Sequence, residues 1–285
     1  MWNQFSTLNL CSKVRPTPTE PGKEACLKRL LSLHAWLVFA FLYLPIVVIV
    51  ALSFNQSRFG VRFTGFTFDW YTRLFSNDRI LDYLTNTLIV AVVSTVVSTI
   101  LGTLLAIGLV RYQFRLRNAL RYLLYVPVVV PDVVMGISLL LLFDVVRDAV
   151  GWPRLSLFTI ILAHISFQIA YVTLVVRARL MLLDPTLEEA AKDLGATPWH
   201  TFREVTLPLI MPGVVAGALL AFSLSLDDFV VTFFTSGPGS TTLPLYIYSS
   251  VKLGVSPEIH ALSTLMVGAT ILILVLGTLF WRKRA

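Results

Sequence analysis

Six stretches of this chain, at approximately 30–53, 84–110, 119–146, 157–179, 207–234 and 259–281, are apolar almost without interruption. Each has the roughly 20 residues that a helix needs to cross a hydrocarbon core about 30 Å thick. Backbone groups in lipid must bond within their own segment or a closed barrel. The runs are too long for the roughly ten-residue alternating strands of a barrel. The expected fold is therefore an all-α integral membrane protein with six transmembrane helices. Composition agrees: 56% of residues are hydrophobic, only 14% are charged, and the mean hydropathy is +0.78, whereas a soluble domain carries about a quarter charged residues.

The 23 Lys and Arg residues set the expected orientation. With a cytoplasmic N-terminus, 16 of them fall in inside segments and 7 in outside ones, so both termini are expected in the cytoplasm. The same placement accounts for the formal charge of +7. The cations cluster at span ends, where they fix topology and meet anionic headgroups, not on a nucleic-acid-binding face. Residues 1–27, with Pro16, Pro18, Pro21 and Gly22, read as a flexible cytoplasmic tail ahead of one membrane domain over 28–285. Cys11 and Cys26 lie in that tail and are not expected to pair in a reducing compartment.

Three carboxylates fall in or near the expected spans. An ionised Asp at a helix centre costs about 2.5–3.5 kcal/mol, so it normally faces protein or water and marks a pathway. Asp132 follows Pro127 and Pro131, which should bend the third span and can open a cavity beside the acid. In the fifth span Gly217, Ala221, Ser225, Asp228, Thr232 and Thr235 recur at helical spacing and form a face unfit for lipid. Asp228 is at its middle. Asp227, about 100° round the helix, is expected to bond a neighbouring helix. Asp228 and Asp132 are expected to line a passage for an organic polycation, with Asp227 the third candidate; helix–helix hydrogen bonding is the rival role. His164, Gln168 and Tyr171 form a polar stripe in the fourth span that reads as interhelical bonding. Ala91, Thr95, Ser98, Gly102 and Ala106 form a close-packing stripe in the second. Tyr246 and Tyr248, after Pro244, read as interfacial anchors, although aromatic faces also hold ammonium groups.

Between the fourth and fifth spans, residues 180–206 read as a cytoplasmic helix–turn–helix. Asp184-Pro185 with Thr186 and Glu189 resembles a helix start, acidic in its first turn. Gly195 allows a break or a positive φ, and Pro208 suits the first turn of the fifth span. Ala190 and Ala191 are small, as a helix entering a groove on another protein must be.

Glu189-Ala190-Ala191, three residues, Gly195, nine residues, then Val205-x-Leu207-Pro208 resembles the EAA loop of ABC-importer permeases at every anchor but one, Val205 standing for isoleucine. The resemblance to type I ABC importer permeases extends over essentially the whole chain after residue 27. It is closest to the spermidine/putrescine group and its second permease subunit, through Ser53-Phe54-Asn55 to Ser57-Arg58-Phe59-Gly60, Pro131-Asp132-Val133-Val134-Met135, Ser138-Leu139-Leu140, Ser225-Leu226-Asp227-Asp228 and Gly254-Val255-Ser256-Pro257-Glu258. A longer polar N-terminus is the other departure.

This resemblance implies a MetI-like fold with a cytoplasmic coupling helix in a bacterial inner membrane. It implies a second permease subunit, two copies of a cytoplasmic ABC ATPase that carry the ATP and Mg, and an external polyamine-binding protein. Glu189, Ala190, Ala191 and Gly195 are then the expected coupling residues, with Leu207 and Pro208 setting the angle of the fifth span. No P-loop, G-x-S-x-G or Cys/His cluster appears, and His34, His164, His200 and His260 are scattered, so neither an enzyme nor a metal protein is expected. A permease for another small solute and a stand-alone secondary cation carrier are the alternatives; the latter calls for a repeat of broken spans, and no clear repeat is visible.

Overall fold

The computed structural model describes residues 21–57, 63–254 and 257–282. The first 20 residues of the expected tail lie outside these, as do 58–60, 255 and 256 of the resembling stretches. The chain divides into two units, 1–51 and 52–285. The first consists of nearly all of α1 (Pro21–Ser53), which has Pro45 inside it and an apolar run over Lys28–Ser53. Residues 21–27, expected in the tail, form its first turns.

Among the described residues of the second unit, the regular elements are all helices, apart from a single bridge between Asn55 and Phe66. A short α2 (Asp69–Phe75) precedes α3 (Asp78–Arg111). The connection between the first two expected spans is folded: Trp70 is buried, and its indole N–H donates to the Asn55 carbonyl at 2.8 Å. Next come α4 (Arg117–Leu123), α5 (Val126–Val129) and α6 (Asp132–Val150), then α7 (Leu157–Leu180). The cytoplasmic segment holds α8 (Thr186–Asp193) and α9 (Pro198–Thr201), and α9 runs through a π turn at Phe202–Thr206 into α10 (Leu207–Asp227). After α11 (Val230–Thr235) and α12 (Leu243–Leu253), α13 (Pro257–Arg282) ends the described chain.

The core lies where α3, α7 and α10 meet. Small residues make it close: Ala91, Ser98, Gly102 and Ala106 of α3 are buried, as the stripe predicted. A Cβ on Gly102 would stand 2.8 Å from the Val172 side chain on α7. Lipid tails are as apolar as the helices, so packing and interhelical hydrogen bonds hold such a bundle together. Both are present. A second cluster joins Trp70 and Leu74 of α2 to Leu243 of α12 and Ala261 and Leu262 of α13.

The expected six spans are four by length and composition, Lys28–Ser53, Asp78–Arg111, Leu157–Leu180 and Pro198–Asp227. A fifth forms if Arg117–Val129 and Asp132–Val150 count as one span bent by 112°. The last expected run falls on α13, whose apolar helix among the described residues is the shorter Pro257–Ile273.

Two expected helices are broken. The third span parts at Val130-Pro131, as two prolines in sequence allow. The fifth parts after Asp227, because Asp228 turns extended (ψ 120°) and its carboxylate takes the first free N–H groups of α11. Apolar periodicity runs through that point without a sign of the break, since a capping Asp also fits a polar stripe. At its other end the fifth span begins earlier than expected. Pro208 is in the first turn of α10, as expected, but the helical run that leads into it already starts at Pro198. The π turn, in which the Leu207 N–H bonds the Phe202 carbonyl, widens the ladder just ahead of a proline that has no N–H to offer it.

Candidate functional site: a cavity at two helix breaks and a cytoplasmic elbow

The two breaks face one cavity of about 300 Å³. Asp132, in the first turn of α6, and Asp227 and Asp228, at the end of α10, all line it, between walls that include Phe167, Tyr171 and Phe229. Acids from distant parts of the chain thus converge on one space. Their surroundings differ sharply. The Asp228 side chain is only 10% exposed. Its Oδ2 accepts from the Thr232 N–H at 2.8 Å and the Thr232 hydroxyl at 2.7 Å, and its Oδ1 from the Val231 N–H at 3.3 Å. His164 Nε2 lies 3.2 Å from Oδ2; a carboxylate oxygen only accepts, so this nitrogen carries the hydrogen. Asp227, which the sequence assigned to a neighbouring helix, is exposed, and no other described residue bonds its carboxylate. Asp132 is exposed as well.

Behind Asp228 a buried chain of polar groups crosses the bundle. His164 Nδ1 is 2.7 Å from the Ser225 hydroxyl, which lies 3.4 Å from Ser94. Gln168 donates to Ser94 at 3.2 Å and to the Ala221 carbonyl at 3.1 Å, and accepts from Ser98 at 2.9 Å. The polar stripe of the fourth span is therefore interhelical bonding, as read from sequence. It ties α3, α7 and α10 to the break. Tyr171 departs from the stripe and faces the cavity.

The elbow is built by local chemistry. Asp184 Oδ1 accepts from the Thr186 N–H at 3.0 Å. That N–H, and then the Thr186 hydroxyl, hold the Asp184 carboxyl below its ordinary pKa. At the other end of α8, the Gly195 N–H bonds the Lys192 carbonyl and the Ala196 N–H bonds that of Ala191. With Gly195 at φ +86°, this is a left-handed helix stop closed by two bonds. The spacing from Ala191 to Gly195 is thus the length of a helix terminus. Glu189, Ala190 and the exposed apolar side chains of Leu187, Leu194 and Trp199 face outward.

Glu188, passed over in the sequence, ties the elbow to the bundle. Its Oε1 is 2.6 Å from Arg111 at the end of α3 and accepts from the Thr206 hydroxyl of the π turn at 2.8 Å. Arg111 and Glu188 are 77 positions apart, and nothing local announces the pair. Among the described residues no group of His, Cys, Asp and Glu could hold a metal ion.

Residues 98–282 match the model of the family described as binding-protein-dependent transport system inner membrane component. The putrescine transport system permease protein PotI of Escherichia coli (strain K12) is 45% identical over 81% of this chain and 83% of its own. The spermidine/putrescine transport system permease protein PotC of Haemophilus influenzae is 42% identical over 87% of this chain and 95% of its own. Among solved structures, a bacterial ABC transporter involved in the import of the acidic polysaccharide alginate superposes with a TM-score of 0.75. That match covers 92% of this chain and 96% of that one at 20% identity, a likeness of fold.

The family match and these relatives make the chain a multi-pass inner-membrane permease subunit of an ABC importer; it is not an enzyme, and the ATPase of such an importer is a separate subunit. The chain belongs to the binding-protein-dependent transport system inner membrane component family.

Proposed function

We propose that this subunit forms part of the translocation pathway of a polyamine importer. It works with a second, different permease, two copies of a cytoplasmic ATPase that bind ATP and Mg, and an external polyamine-binding protein, with both of its own termini in the cytoplasm. The observation that carries this reading is the meeting of Asp132, Asp227 and Asp228 in one aromatic-walled cavity at two helix breaks. Carboxylates in a low-dielectric passage attract ammonium groups and disfavour anions, and several weak sites let the solute leave again. The fold is silent on cargo: the transporter of the same fold named above is involved in the import of the acidic polysaccharide alginate. The names of the relatives PotI and PotC support the polyamine assignment.

Within the cavity the geometry favours a division of roles. Asp227 and Asp132 present carboxylates to the cargo; Asp228 lines the cavity while holding the break in shape. ATP-driven closure of the ATPases enters through Glu189, Ala190, Ala191 and Gly195, and Leu207 and Pro208 carry the movement of the elbow into α10. Reconstitution with the cognate ATPase, second permease and binding protein tests the reading. ATP-dependent uptake of labelled spermidine or putrescine, and none of sulfate or phosphonate, is the expected result. Uptake of an oxyanion instead, or uptake without any ATPase, overturns it.

A further inference from the structure

Outside the acid-lined cavity one aromatic face already holds a cation. The Tyr248 ring on α12 stacks on Phe229 with centroids 4.0 Å apart and planes 28° from parallel. The Lys252 ammonium stands 4.7 Å from the centroid of the same Tyr248 ring. A ring stacked so closely fills one face, so the ammonium covers the other. Lys252 has no carboxylate partner among the described residues, and both side chains are exposed. Phe229 and Asp227 line the cavity that holds Asp132, and they also line a second one of about 570 Å³ together with Tyr248, Pro244 and Val251. Phe229 is therefore a wall between two spaces, with Asp227 reachable from each. Tyr248 stands on the side away from Asp132.

We propose that the Lys252-covered face of Tyr248 is a cation subsite that takes one ammonium group of the cargo, and that Lys252 occupies it as a built-in competitor. The proposal rests on the polyamine reading above. The negative face of an aromatic ring attracts ammonium ions, and a lysine one helical turn away is held where it reaches that face. A polyamine differs from this tethered lysine in having several ammonium groups on one flexible chain. When one lands on Tyr248, another reaches Asp227 beyond Phe229, and the second contact is intramolecular. A cation with a single charge lacks that advantage and loses to Lys252. The subsite thus selects for the number of charges before the cargo enters the acid-lined cavity.

Equilibrium binding of labelled spermidine to the purified full complex, without the external binding protein, tests the subsite. Lys252→Met should tighten binding roughly two- to five-fold, the range of an exposed cation–π contact, and let butylamine compete more strongly. Tyr248→Phe should bind as wild type, since the ring and not the hydroxyl makes the contact. Tyr248→Leu should weaken binding and abolish the gain from Lys252→Met in the double variant. Equal affinities for wild type and Lys252→Met, equal losses in Tyr248→Phe and Tyr248→Leu, or no binding to the wild-type complex each overturn the subsite. Uptake by the same complex with its binding protein present tests the cargo separately: uptake of spermidine with unaltered binding in every variant leaves the polyamine reading standing and removes only the subsite.

Discussion

The cavity and the elbow each contain two adjacent acids, and in each the pair divides its work. At the break, Asp228 turns inward to hold α11 and meet His164, while Asp227 faces open space. At the elbow, Glu188 turns inward to Arg111 and Thr206, while Glu189 faces outward. The difference lies in the inward partner. Asp228 is nearly buried and is met by two backbone N–H groups, a hydroxyl and an imidazole, whereas Glu188 has an arginine and remains partly open, with 17% of its side chain exposed. A carboxylate in the bilayer interior needs several donors to offset its lost hydration. One at the water boundary needs a single good partner. The first arrangement is rigid and the second can be remade, which suits a fixed passage and a moving lever respectively.

The largest expected effect comes from removing the most heavily bonded acid. Asp228→Ala leaves the N–H groups of Val231 and Thr232 without their side-chain acceptor, and His164 Nε2 keeps only the Thr232 hydroxyl, at 3.1 Å. Each buried donor left unpaired in this way costs about 1–3 kcal/mol. The purified subunit should lose thermal stability and yield, and the complex should assemble poorly. A variant with wild-type melting behaviour would show that the break holds without its cap and erase the contrast with Asp227.

Next is Gly195. Its φ of +86° lies in the region that side chains with a Cβ adopt at a cost of roughly 1–2 kcal/mol. No atom lies within 4 Å of the space a Cβ would take, so Gly195→Val acts through the backbone alone. The stop after α8 should open, and the ATPase should dock weakly or hydrolyse ATP without uptake. Normal docking and uptake would remove the elbow from the coupling path.

How much of this was legible beforehand follows from which forces are local. The long apolar runs and the elbow are read from residues near one another: hydropathy over a span, an Asp at a helix start, a glycine at a helix stop. The helix breaks were half legible. Two prolines announce the one beside Asp132, but Asp228 hides its break inside a continuous stripe, because the residue that ends one helix also fits the polar face of an unbroken one. The buried positions of that stripe were read correctly, and Thr232 and Thr235 are indeed inside. The roles of the two adjacent acids were not legible, since an angle on an ideal helix means nothing past the point where the helix stops. Glu188 was invisible for another reason: its partners come from α3 and from the π turn, and only the folded chain brings them together.

Asp227→Asn sharpens the comparison from the opposite side. The carboxylate is exposed and no described side chain depends on it, so stability should be unchanged while uptake falls. An ammonium at 4 Å from a carboxylate gains about 4 kcal/mol at an effective dielectric of 20, and desolvation takes back most of it. A remainder on the order of 1.4 kcal/mol is a tenfold loss of apparent affinity. Uptake kinetics and a melting curve of the same preparation measure both arms. If Asp227→Asn and Asp228→Asn lower stability alike, the two acids share one structural role.

Glu188→Gln is expected to move stability least and to report most directly on the lever. Glutamine keeps the shape of the side chain and still accepts from Thr206, but it no longer carries the charge that faces Arg111. A partly exposed pair of this kind contributes at most about 1 kcal/mol, so the melting shift should be small. Paired with Arg111→Gln, the loss should be less than additive, as it is for groups in contact. The functional change should be larger than the thermal one. With α8 no longer held by charge to Arg111 at the end of α3, movement of the ATPase turns the elbow without fully turning α10, and uptake per ATP hydrolysed falls while ATPase docking persists. Glu189→Gln should do the reverse, weakening docking and leaving the subunit as stable as before. Identical profiles for the two variants would mean that the adjacent acids at the elbow are one surface, and that the division of work belongs to the bilayer interior alone.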